Sequence, residues 1–149
     1  MGKTDGKIKK IFMKLCSACL LGIRCRYDGG DKANEKVLAL AKEEILLPVC
    51  PEQLGGLSTP REPAEQRGEK VFTKSGYDVT ENFFRGADEV LRLCKMYNIK
   101  EVILKQKSPS CGCGKIFDGT FSNQIIAGDG VTTKLLKENG IKVISEEDL

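Results

Sequence analysis

No histidine occurs among the 149 residues. Without imidazole the usual general base is missing, as are the Ser-His and Cys-His nucleophile pairs and every metal site built on a ring nitrogen. Chemistry must then run on Cys, Glu, Asp, Lys, Ser, Tyr, backbone groups or a cofactor. No apolar run approaches the ~18 residues that a membrane span needs, and the N-terminus has no apolar signal core with a cleavage site. A cytoplasmic protein with no membrane partner is expected. Nor is there an excess of charge of one sign: 24 basic residues face 21 acidic ones, for a net +3. Nothing resembles the concentrated basic footprint of a nucleic-acid binder, so nucleic acid is not an expected partner. Lys7 to Lys10 reads as a solvated edge. Repeats and low-complexity tracts are absent too, and the length fits one domain over residues 1–149.

What the chain does have is seven cysteines. In a reducing compartment an odd number of them suggests ligands, catalytic groups or buried thiols and not a disulfide framework. Three runs stand out: Ser17-Ala18-Cys19-Leu20-Leu21-Gly22, Pro48-Val49-Cys50-Pro51-Glu52 and Lys107-Ser108-Pro109-Ser110-Cys111-Gly112. Each follows an apolar β-like stretch and presents one cysteine at the turn beyond it. If those stretches are neighbouring parallel strands, the three thiolates meet at one edge of a sheet. They would form a three-ligand metal site with a coordination position left for substrate.

The pattern along the chain supports such a sheet. Residues 8–16 read as a first strand, 33–44 as a helix with Val37, Leu38, Leu40 and Ala41 on one face, and 45–50 as a second strand. Strand-helix-strand alternation implies a right-handed crossover and parallel pairing. Residues 53–68, rich in Gly, Pro and charge, read as a structured loop, and 71–79 as a small hairpin. Thr80 is the expected N-cap of a helix reaching Asn98, with Cys94 on its apolar face. A third strand spans 101–105, Asp118-Gly119 signals a hairpin within 115–121, Gly128-Asp129-Gly130 opens a last helix through Glu138, and 141–144 closes the sheet. The expected fold is a three-layer α/β arrangement, Rossmann-like or flavodoxin-like. It has four or five mostly parallel strands, helices on both faces, and ligands beyond the carboxyl ends of the strands.

Taken together, the three cysteine runs resemble the signature of a small bacterial and archaeal family, the thiouracil desulfidases. The resemblance extends through Cys25-Arg26-Tyr27-Asp28-Gly29, Gly55-Gly56-Leu57, Thr59-Pro60-Arg61, Asp118-Gly119-Thr120-Phe121 and Gly128-Asp129-Gly130-Val131-Thr132, and so spans nearly the whole chain. It implies a [4Fe-4S] cluster held by Cys19, Cys50 and Cys111, with one iron open to the sulfur of a thiolated pyrimidine base or nucleoside. The implied activity is non-redox carbon-sulfur hydrolysis, giving the oxygenated base and sulfide.

That chemistry needs a proton acceptor. Glu52, two residues past Cys50 and restrained by Pro51, is the candidate base; a turn cap or a pair with Arg61 is the alternative. Ser108 is a candidate for orienting substrate or protonating the leaving sulfur, and Ser110 for contacting substrate, against plain turn chemistry. Tyr27 and Asp28 are candidates for stacking on and hydrogen-bonding a pyrimidine, although Tyr-Asp-Gly is also a turn. Arg61 fits either a substrate contact or an ion pair, and Asp129 reads best as a helix cap. Cys16 and Cys113 leave a second possibility open: a closed tetrahedral zinc set of Cys16, Cys19, Cys111 and Cys113. A third is an iron-sulfur protein that carries sulfur or electrons to a partner.

Overall fold

The computed structural model describes residues 13–149. In chain order the elements are β1 (Met13–Ser17), a 3₁₀ turn (Ala18–Leu21), α1 (Glu35–Leu40), β2 (Ile45–Val49), α2 (Pro51–Leu54), β3 (Ala64–Arg67) and β4 (Lys70–Thr73). There follow α3 (Thr80–Met96), β5 (Glu101–Leu104), β6 (Lys115–Phe117), β7 (Ile125–Ala127), α4 (Val131–Glu138), β8 (Lys142–Ser145) and a 3₁₀ turn (Glu146–Asp148).

Four strands form one sheet in the order β2-β1-β5-β8, with every pairing parallel. Successive side chains of a strand point to opposite faces, and the core divides accordingly. Leu15, Val102, Leu104 and Val143 lie with Val90, Cys94 and Leu136 of α3 and α4. Cys16, Ile103 and Leu46 lie with Val37 of α1 on the other face. Both faces of the sheet are thus covered, as its uninterrupted apolar strands require. The α/β class and the parallel sheet agree with the sequence expectation.

The third helix is set by spacing: Phe83, Ala87, Val90 and Cys94 recur every three or four residues and are buried. It carries α2 on its first turns by direct backbone approach. A Cβ on Gly86 would lie 1.9 Å from the Pro51 carbonyl oxygen, and one on Gly55 would lie 2.0 Å from that of Asn82. Only glycine permits this contact, which fixes the segment just after Cys50.

Several expected boundaries shift. The part of the first strand expected before residue 13, and the Lys7–Lys10 run, lie outside the described residues. The helix expected over 33–44 contracts to α1, capped by Asn34, whose side chain accepts from Val37 N. The expected loop over 53–68 contains strand β3, which pairs antiparallel with β4 through a turn at Gly68. The hairpin expected over 71–79 survives as a Phe72–Asp78 bridge with a hydrogen bond from Val79 N to Val71 O. Thr80 is not a cap: Val79 holds that position, and the Thr80 hydroxyl accepts from Val71 N at 2.9 Å. The Asp118-Gly119 hairpin is wider than expected, with residues 118–124 looping between β6 and β7. Gly130, not Asp129, caps α4; the Asp129 carboxylate accepts from Gly114 N and pairs with Lys137. Among the described residues no helix is long and apolar enough to cross a membrane.

Candidate active site

Three strands deliver their cysteines to one edge. Ser17 pairs with Val49 across β1 and β2, so the chain leaves both strands at the same level. After β1 it enters the 3₁₀ turn carrying Cys19, which Gly22 ends at φ +92°. After β2 it enters α2 with Cys50 at the N-cap and Pro51 at the first helical position, where a fixed φ suits the helix and a missing N–H costs nothing. Beyond β5, Lys105 N donates to the Ser17 hydroxyl at 2.8 Å and ties the third strand end to the first.

The third turn is organised by its own serine. The Ser108 hydroxyl accepts from Ser110 N and Cys111 N, each at 3.1 Å, while Gly112 N donates to Ser108 O. The start of α4 is seated against it: Thr132 N donates to Ser110 O at 2.9 Å, and a Cβ on Gly130 would stand 2.4 Å from the Ser110 carbonyl carbon.

These turns surround a cavity of about 570 Å³ lined by Cys19, Cys25, Cys50 and Cys111 together with Glu52, Arg61, Ser108 and Ser110. Cys25 is the thiol that spacing alone did not place there. Its carbonyl oxygen accepts from the Cys50 thiol at 3.8 Å, and the neighbouring Cys19 thiol is foremost in raising its pKa to about 11. Its bond with Cys25, and then burial, push Cys50 well above the usual thiol range. Burial pushes Cys111 up to about 12, opposed by hydrogen bonds from Ser17 and Ser110. Such thiols carry protons that a metal must displace on binding.

Next to the thiols runs a polar chain. Arg61 Nε donates to Glu52 Oε1 at 3.0 Å, so the pairing weighed as an alternative for Glu52 is present. The other carboxylate oxygen, Oε2, accepts from the Ser110 hydroxyl at 3.2 Å, and Ser110 Oγ lies 3.0 Å from Ser108 Oγ and 3.5 Å from Cys111 Sγ. Ser110, not Ser108, therefore touches the carboxylate. Tyr27 lines the cavity with its ring 5.2 Å from the Arg26 guanidinium carbon. Asp28 does not line it: the carboxylate accepts from Gly30 N at 2.9 Å, and this bond holds its pKa below the usual carboxylate range. Glu65, in the stretch read as loop, also lines the cavity.

The donor set suits an iron-sulfur cluster better than a lone zinc ion. Thiolates serve zinc and iron-sulfur clusters alike, so the separation of the thiols decides, not their softness. Among the described residues no three His, Cys, Asp or Glu side chains come close enough to hold a single metal ion. The zinc set of Cys16, Cys19, Cys111 and Cys113 is not brought together. Cys16 is buried on the α1 face with its thiol donating to Ser17 O, whereas Cys113 packs on the opposite face and donates to Val143 O.

Comparisons with known proteins agree. The family model described as 2-thiouracil desulfurase matches residues 15–148. The protein YbbK of Bacillus subtilis (strain 168) is 50% identical over 147 residues, which cover 92% of this chain and 97% of that one. A solved structure, the [4Fe-4S]-dependent thiouracil desulfidase TudS, is 48% identical, covers 93% of each chain and superposes with a TM-score of 0.88.

Proposed function

The chain belongs to the 2-thiouracil desulfurase family, and from that premise we propose that it hydrolyses the carbon-sulfur bond of a small thiolated pyrimidine base or nucleoside, with Cys19, Cys50 and Cys111 holding a [4Fe-4S] cluster. The observation that carries the reading is the meeting of those thiols with Glu52 and two serines in one cavity. A cluster with three protein ligands supplies a Lewis-acidic iron for the thiocarbonyl sulfur. The overall change is balanced without electron transfer: water gives its oxygen to the ring carbon, and its two protons leave with the sulfur as hydrogen sulfide.

Glu52 accepts a proton from the attacking water. Arg61 engages Oε1 and so turns the carboxylate, leaving Oε2 toward Ser110. The Ser108 oxygen already accepts from two backbone N–H groups, and its own proton is therefore free to point to Ser110 Oγ or into the cavity. Ser108, Ser110 and Glu52 form one O–H chain ending on the carboxylate. Run in reverse, the chain returns the proton from Glu52 through Ser110 and Ser108 to the leaving sulfur. Tyr27 offers a face to the pyrimidine ring, while Asp28 shapes the turn that presents it.

Anaerobic purification with iron and sulfide analysis, followed by sulfide release from a panel of thiolated bases and nucleosides, tests the reading. Wild-type protein should be brown and active. Changing Cys19, Cys50 or Cys111 to Ala should strip the iron, and Cys113→Ala should retain it. Protein with full iron content and no sulfide release from any panel member would overturn the assignment.

A further inference from the structure

The cavity that holds the cysteines is also lined by a carboxylate that the reaction scheme leaves unused. Glu65 is 9% exposed, lines the cavity, and makes no ion pair among the described residues. A carboxylate taken out of water is costly unless hydrogen-bonded. Here one oxygen bears that whole duty: Oε1 accepts from Gly119 N at 3.0 Å and from Phe121 N at 3.1 Å. The second oxygen, Oε2, has no partner among the described residues, yet it is not one of the buried polar atoms sealed from solvent.

The backbone that Glu65 grips is strained. Phe121 has φ +57° and Asn123 φ +62°, a region that a bulky side chain rarely occupies unless its surroundings hold it there. The neighbouring residues of β3 tighten the same grip. Arg67 Nε donates to Gly119 O at 2.8 Å, and a Cβ on Gly119 would stand 2.6 Å from both Arg67 Cγ and Gln66 O. The gripped segment bears on the cavity, since Phe117, Phe121 and Asn123 line it. Strain is thus held in a segment whose aromatic side chains line the same cavity as the thiols.

We propose that Glu65 is a substrate-positioning residue: Oε1 pins the 119–121 backbone so that Phe121 walls the cavity, and Oε2 accepts a ring N–H of the bound thiolated pyrimidine. The assignment rests on the desulfidase reading above. Thiolated pyrimidines carry an N–H next to the thiocarbonyl carbon, and a carboxylate oxygen fixes the ring's rotation through it. The cysteine side then receives the sulfur, and Phe121 limits tilt.

The test uses the cluster-loaded protein, with 2-thiouracil as probe, iron content as control and amide hydrogen exchange at Gly119 and Phe121 as a second readout. Glu65→Gln keeps an amide oxygen for the two backbone donors but presents N–H₂ to the ring. It should raise KM about tenfold, the scale of one lost hydrogen bond, leave kcat within about twofold, and preserve iron and exchange protection. Glu65→Ala should add faster exchange at both amides. Phe121→Ala should raise KM several-fold while Gly119 stays protected, and it serves if Glu65→Ala does not fold. An unchanged KM in Glu65→Gln beside normal wild-type turnover overturns the Glu65 assignment alone, as does a loss confined to kcat and iron content. Iron-replete wild-type protein inactive on the whole panel overturns the desulfidase reading instead.

Discussion

Arg61 commits its entire guanidinium to the wall of the cavity. Nε reaches Glu52, Nη1 reaches Ser58 O and Thr59 Oγ1, and Nη2 reaches Cys25 O, all at 3.0–3.1 Å. A planar fork with donors on three sides can do this, and an ammonium cannot. Arg61→Lys should accordingly lower kcat by roughly one to two powers of ten, with iron content and absorbance unchanged, because Glu52 loses its orientation while the thiols keep theirs. Glu52→Gln should cost more, roughly 10²- to 10⁴-fold in sulfide release, again with iron retained. A parallel loss of iron in Glu52→Gln would mean that the carboxylate supports the thiols instead. At this scale the sequence was informative where residues sit in short turns after strands: Cys19, Cys50, Cys111, Glu52 and both serines line one cavity. It was silent on Glu65, since Ala64-Glu65-Gln66-Arg67 has no apolar alternation to announce a strand, and its role comes from partners more than 50 positions away.

Among the elements, α2 is the most tightly specified. Its four residues cannot hold a helix unaided, and it is fixed instead by the crossing with α3 at Gly55 and Gly86. Asn82 adds a hydrogen bond from its side-chain amide to Gly55 O at 2.9 Å. Gly86→Ala should therefore destabilise the fold by about 3 kcal/mol, the upper end of the usual range for overpacking, and reduce activity even in protein that remains folded. Chemical denaturation together with turnover per folded molecule measures both. If the variant matches wild type in each, the close crossing does not constrain Cys50 and Glu52. Spacing located the long elements well, because α3 repeats its apolar residues over several turns. Short ones escaped it. Thr80 looked like a cap but serves as an acceptor for β4, and β7 is exposed at all three residues, so no buried face marked it beforehand.

Over the whole molecule, the cavity joins segments that are far apart in sequence. Cys19 follows β1, Cys50 follows β2 and Cys111 follows β5, and only the parallel sheet makes them neighbours. A cofactor binding all three segments in the native state, and not in the unfolded chain, stabilises by mass action. Chelating the iron should lower Tm by several degrees, and restoring iron and sulfide should recover it. If Tm is indifferent to iron, the three segments are not bridged. Strand-helix-strand alternation made the sheet legible, whereas the order of its strands and the placement of both small hairpins depended on distant contacts that no local pattern encodes.

That arrangement has a consequence for biosynthesis. Cys111 is delivered by β5, which lies between β1 and the late-arriving β8, and the Cys111 turn is itself seated on the start of α4. A chain made only as far as the first two sulfur-bearing turns has β1 and β2 but not the strand, turn and helix that complete the cavity. The cavity therefore cannot be complete until translation has passed the start of α4, and a product truncated before it would lack the seat of the Cys111 turn.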